Sequence, residues 1–124
     1  MRIQVRHAIA QDDLTALWPE INGTAMNLDQ VFVAVDEDER VLGGTLMFHA
    51  GHGLAYSGST IILTPERRAW VAEKLLGFVL QWCRDHQIVR LGHGAGTEEC
   101  QRVLARFGAI PTRHHVLMEL DVVS

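Results

Sequence analysis

The chain has 124 residues, 48% hydrophobic and 21% charged, with eleven Lys/Arg against fifteen Asp/Glu and a formal charge of −4. That composition suits one core-forming domain over residues 1–124 and excludes a disordered chain. It holds no run of about 18 apolar residues to span a membrane, no basic block for nucleic acid and no apolar leader for secretion.

Residues 2–9 (RIQVRHAI) alternate with Ile3, Val5 and His7 on one side, which predicts a strand. Asp12-Asp13 then open an apolar-periodic segment, Leu14, Leu17, Trp18 and Ile21, which predicts a short helix limited by Pro19. A loop follows over residues 22–29. Residues 30–35 (QVFVAV) are almost continuously apolar and β-branched, as in a central strand. The polar run DEDER separates them from residues 41–49 (VLGGTLMFH), so the two strands form an antiparallel hairpin with a solvated acidic turn. Gly43-Gly44 marks a bulge or a close backbone approach.

AGHG turns the chain into a third strand over residues 54–63, stopped by Thr64-Pro65. Pro65 suits the first turn of the longest helix, residues 66–86. There Val71, Leu75, Phe78, Val79 and Trp82 share one face of a 3.6-residue period. A short strand over residues 88–91 leads into the flexible turn Gly92-His93-Gly94-Ala95-Gly96. A second amphipathic helix over residues 97–107 has Glu98-Glu99 at its positive end and Gly108 beyond its last turn. Residues 114–122 alternate as a last strand. The strand–helix–strand near the C-terminal end implies a parallel pair, and the hairpins imply antiparallel neighbours. The fold class is therefore α/β (α+β), a mixed sheet of about six strands with helices on both faces.

Seven histidines are many for this length. His49 and His52 have a chelating spacing but no third ligand in fixed relation to them, and His114-His115 point to opposite faces of a strand, so no metal is expected. Cys83 and Cys100 lie on apolar helix faces, too few for a disulfide scaffold, and read as buried thiols of a reduced, cytoplasmic protein. Gly92-x-Gly94-x-Gly96 lacks the third glycine of a dinucleotide fingerprint, since Thr97 stands there. His93 is better placed. It follows a strand at its C-terminal end, where ligands of α/β sheets collect, and imidazole can take a proton from an amine or give one to a thiolate. Tyr56, the only tyrosine, shares the third strand with Ser57 and Ser59.

The element order and several segments resemble the GNAT family of acyl-CoA-dependent N-acyltransferases. IQVRHAIAQDDLTAL is similar to the family's opening strand and helix, and VFVAVDEDERVLGGTLMF to its hairpin with an acidic turn before Gly-Gly. IILTPERRAWVAEKLLGFVLQWC sits where the family places its central strand, phosphate loop and following helix, and ECQRVLARFGAIP resembles its terminal "L-Y-x-K-x-G-F" segment. The resemblance implies a GNAT-like fold and acetyl-CoA as co-substrate, held between the strand 88–91 and the strand ending at Leu63. Ile61, Ile62 and Leu63 would bind the pantetheine through the backbone. The turn Arg67, Arg68, Ala69, Trp70, Val71 and Ala72 would meet the pyrophosphate with free N–H groups at a helix N-terminus.

The chain departs from the family at three points. The phosphate turn, (R/Q)-x-x-G-x-(G/A) in the family, keeps no glycine. Anchored on Arg67, it puts Trp70 and Ala72 at those positions, and anchored on Arg68, Val71 and Glu73. Leu104 stands where many members carry a proton-donating Tyr. The chain is also short for the family. Two functions follow. One is an N-acyltransferase acting on a small-molecule or peptide amine, with His93 or Tyr56 managing protons. The other is a non-catalytic GNAT-like module for assembly or ligand sensing. No nucleic-acid or membrane partner is expected, and a long apolar edge strand is suited to pairing in a homodimer.

Overall fold

In the computed structural model, which describes residues 2–19, 27–94 and 98–110, five strands join one sheet in sequence order. Strands β1 (Gln4–His7), β2 (Val31–Val35), β3 (Val41–Gly51) and β4 (Leu54–Ile62) are antiparallel neighbours, and β5 (Arg90–His93) lies parallel to β4. A parallel pair needs a crossover, and helix α1 (Arg68–Asp85) supplies it. Helix α2 (Glu98–Arg106) follows β5. The strand expected over residues 114–122, with His114 and His115, lies outside the described residues, as do Gly96 and Thr97.

All five residues of β2 are buried, because the strand is covered on both faces. Phe32 and Ala34 pack against Val71, Leu75, Val79 and Cys83, the apolar stripe of α1. Val31, Val33 and Val35 point the other way, onto Leu14, Leu17 and Trp18. The helix expected from residue 14 is, over residues 14–18, only a 3-10 turn, Leu14–Ala16. Pro19 disfavours helical geometry at Trp18 and has no N–H for a continuing ladder, so local chain stiffness outweighs the apolar period.

Gly43 and Gly44 mark close approaches of the kind their pairing predicts. A Cβ on Gly43 would stand 2.9 Å from the Ile61 carbonyl oxygen, and one on Gly44 3.0 Å from that of Phe32. The β3–β4 register shifts beside them, between Gly44 and Leu46.

The strand expected over residues 88–91 starts two residues later. Ile88 donates its N–H to the Cys83 carbonyl and so closes the end of α1, while Val89 and Arg90 both donate to the Gly53 carbonyl. Ile88 is buried as a plug and Val89 is exposed. In consequence Gly92 and His93, expected in a flexible turn, are strand residues paired with Tyr56 and Ser57. The long helix likewise begins later than residue 66, after a 3-10 turn over Pro65–Arg67.

The first strand is tied to its loop by one ion pair. Arg6 donates to both Asp12 oxygens, at 2.8 and 3.0 Å, and the Ile9 N–H donates to Asp12 at 2.8 Å. The Asp12 side chain is 3% exposed. Hydrogen bonding from Arg6, ahead of the opposing effect of burial, holds its carboxyl below the usual range. The resulting stability is complete above the unfolded-chain value of 3.8 and is lost as pH falls through the lower folded value. Asp12→Ala should cost about 1–3 kcal/mol at neutral pH, since it removes the acceptor of two guanidinium hydrogen bonds and of the Ile9 N–H. Denaturant midpoints measured from pH 7 down to pH 2 should fall in the wild type and converge on those of the variant.

Candidate functional site

The site begins where β5 leaves β4. The two strands pair from Leu54 with Arg90 to Ser57 with His93. There β5 ends, while β4 runs on to Ile62 alongside β3. Beyond Ser57 the edge of β4 turned away from β3 therefore carries backbone groups without a β5 partner. A cavity of about 340 Å³ opens in this gap, a volume in the range of small-molecule sites.

Its walls are mainly apolar. Ile61 and Ile62 line it from β4, Ala72, Leu75, Leu76 and Val79 from α1, and Val103 and Leu104 from α2. One end is polar, formed by Thr45, Ser57, Thr60 and His93. Thr45 and Ser57 are buried, so their hydroxyls need partners, and they find them in one another. Thr45 Oγ1 lies 3.1 Å from Ser57 Oγ, 2.8 Å from Thr60 Oγ1 and 3.1 Å from the Gly58 carbonyl oxygen. Thr60 Oγ1 in turn lies 3.2 Å from His93 Nε2, and His93 Nδ1 contacts the Gly94 carbonyl oxygen. A carbonyl oxygen only accepts, so Nδ1 carries the proton. In neutral His93, Nε2 is then a free lone pair that accepts from Thr60.

The mouth is charged. Arg68, at the start of α1, lies 3.4 Å from Glu99 in the first turn of α2, and Arg106 is paired with Glu73. Both pairs join α2 to α1. Cys100 also lines the cavity, and burial together with the nearby Glu99 pushes its thiol up. Among the described residues no three His, Cys, Asp or Glu side chains gather as metal ligands, and no helix is long and apolar enough to cross a membrane.

The residues singled out from the sequence separate in space. His93, Ile61, Ile62, Arg68 and Ala72 border the cavity. Tyr56 is 52% exposed and alternates with Ser57, so it stands on the other face of β4, its ring against Gly92. Val71 is fully buried in the core. Arg67 is held over the Trp70 ring, 5.6 Å from its centre. The turn's N–H groups are partly used: Arg67 donates to the Thr64 carbonyl and Arg68 to that of Pro65. Leu63 donates its N–H to the Leu42 carbonyl. Thr45 and Thr60 escape a reading of the sequence, because threonine is an ordinary strand residue. Their signal is a polar residue at inward positions of two adjoining apolar strands.

The tautomer can be checked directly. Nitrogen NMR of the labelled protein at alkaline pH should show His93 protonated at Nδ1 and bare at Nε2. The opposite pattern would reverse the direction of the hydrogen bond between Thr60 and His93.

No protein-family model matches the chain, and no curated protein matches it by sequence. Solved structures do. A GNAT-family acetyltransferase from Streptococcus pneumoniae superposes with a TM-score of 0.68 at 14% identity, over 97% of this chain and 98% of that one. A transcriptional regulator from Bacillus halodurans gives 0.73 at 8% identity, over 96% and 100%. A Mycobacterium tuberculosis protein in complex with CoA gives 0.63 at 20% identity, over 85% and 70%. With its mixed sheet and flanking helices, the chain has the GNAT fold.

Proposed function

We propose that this chain is an acyl-CoA-dependent N-acyltransferase, moving an acyl group such as acetyl from the thioester to a small-molecule or peptide amine. The observation that carries the reading is the cavity in the gap between β4 and β5, with apolar walls and His93 at its polar end. Such a slot suits a pantetheine arm, whose amides would meet the edge of β4 beyond Ser57, towards Ile61–Leu63, where β5 no longer pairs with it. The diphosphate would face the turn Arg67–Ala72, with Arg68 as the charged contact at the mouth.

In this reading the amine attacks the thioester carbonyl, forming the C–N bond and expelling the thiolate. His93 Nε2 accepts the proton lost by the amine and passes it to the departing sulfur. His93 is the better proton carrier of the two candidates, because Tyr56 stands on the opposite face of β4. The acceptor amine enters from the polar end.

A second reading, a non-catalytic module, is favoured by the mouth itself. Arg68 is already paired with Glu99, and the turn at the start of α1 has no glycine to let a diphosphate approach. Calorimetric titration of acetyl-CoA separates the two. Micromolar binding, weakened about tenfold (about 1.4 kcal/mol) by Arg68→Ala and tightened by Glu99→Ala, is the outcome expected of the enzyme. An absence of heat at millimolar acetyl-CoA would leave the module.

A further inference from the structure

We propose that Thr60 is a nucleophile, paired with His93 as its base, so that the cavity can transfer an acyl group through a covalent threonine ester. The inference rests on the acyl-transfer reading and shares its His93, but replaces direct attack by the amine with a two-step transfer. An activated hydroxyl nucleophile needs three things: a base within hydrogen-bond reach, a group that orients the base, and access to an acyl carbonyl. Thr60 Oγ1 lies 3.2 Å from His93 Nε2. The Gly94 carbonyl accepts a hydrogen bond from the Nδ1–H and so leaves a bare Nε2 facing Thr60. Thr60 and His93 both border the cavity. This is the order nucleophile, base, orienter that recurs on unrelated folds where a side-chain nucleophile carries the acyl group.

Thr45 completes the arrangement. Its side chain is buried, and its oxygen lies 2.8 Å from Thr60 Oγ1. It has one proton and more than one acceptor around it, the Gly58 carbonyl among them. With Thr60 donating to His93, the 2.8 Å contact is a hydrogen bond only when Thr45 donates to Thr60, and in that orientation it supports the developing alkoxide. Strand pairing fixes His93 opposite Ser57 on β4, three residues before Thr60, which lies at the irregularity of the β3–β4 register.

The chemistry balances in two halves. Thr60 Oγ1 attacks the acyl carbonyl, its proton passes to His93 Nε2, an O–C ester bond forms, and the bond to the leaving group breaks. His93 returns the proton to the leaving thiolate or alkoxide. In the second half an amine, or water, attacks the ester carbonyl. The attacking group's proton passes through His93 to the departing Thr60 oxygen, which restores the free hydroxyl. With water as acceptor the net reaction is ester or thioester hydrolysis.

The test uses aryl esters, which have no nucleotide, so it reads the Thr60–His93 pair independently of acetyl-CoA binding. The protein is mixed with p-nitrophenyl acetate, acid-quenched within milliseconds to seconds, and mapped by peptide mass spectrometry. A parallel sample is treated with p-nitrophenyl dimethylcarbamate, whose carbamoyl adduct is slow to hydrolyse and accumulates even where the acetyl ester does not. The expected result is one acyl group on Thr60. Labelling should persist in Thr60→Ser, vanish in Thr60→Val, and slow by about a hundredfold or more in His93→Ala. Label on other residues only, no label from either reagent, or equal rates with and without His93 would overturn the proposal. The map of the wild-type protein decides this even where a variant fails to fold. Labelled Thr60 without acetyl-CoA binding would remove the acyl-CoA reading and keep the nucleophile. Acetyl-CoA turnover with Thr60 unlabelled would remove the nucleophile and keep direct attack by the amine.

Discussion

Four residue pairs hold β5 to β4, and what happens after the fourth governs the rest of the site. Strand β4 is nine residues long and is paired to β3 along most of its length, whereas β5 spans only Arg90–His93. Backbone donors and acceptors seek partners, so a strand edge left open inside a fold is a place for a ligand or for side-chain hydroxyls. Here the gap is roofed by α1 and α2 and floored by a chain of hydroxyls ending on His93. A longer β5 would fill the gap with ladder hydrogen bonds and close the cavity.

The same division explains which side chains are polar. On the face of the sheet towards α1, the core is Phe32, Ala34, Met47 and Ala55 against Val71, Leu75 and Val79. Thr45 and Ser57 interrupt this apolar layer where it borders the gap. Thr45 and Ser57 share a hydrogen bond there, so neither buried hydroxyl is stranded. Asp36 shows the same accounting at the exposed hairpin tip. Its carboxylate accepts from the N–H groups of Arg40 and Asp38, and these hold it below the usual range, the Arg40 hydrogen bond foremost.

The fold was readable wherever one signal dominated. The unbroken β-branched run Val31–Val35 is a strand buried on both faces, and the period of Val71, Leu75 and Val79 is the buried stripe of α1. Reading failed where two local signals competed. Glycines flanking His93 favour a turn, but backbone pairing with Tyr56 and Ser57 made Gly92 and His93 strand. Trp18-Pro19 broke an apolar period that otherwise reads as helix. Glu99 looks like a complement to the helix dipole, and it is also the partner of Arg68, 31 residues away, a relation no local pattern shows. Thr45 and Thr60 were invisible for a similar reason. Their importance lies in a contact across 15 residues, while each alone is unremarkable in a strand.

The ion pair between Arg68 and Glu99 has a thermodynamic consequence. Half-exposed pairs of this kind contribute little in salt, so this one is a weak clasp on α2, helped by Arg106 with Glu73. An anion arriving at Arg68 must compete with Glu99 for the guanidinium, and what it gains there is reduced by what α2 loses. Occupancy of the mouth and attachment of α2 are thus linked quantities that move in opposite directions by equal free energy. The second helix is a wall of the cavity and also a counterweight on its charge, one whose leverage fades as ionic strength rises.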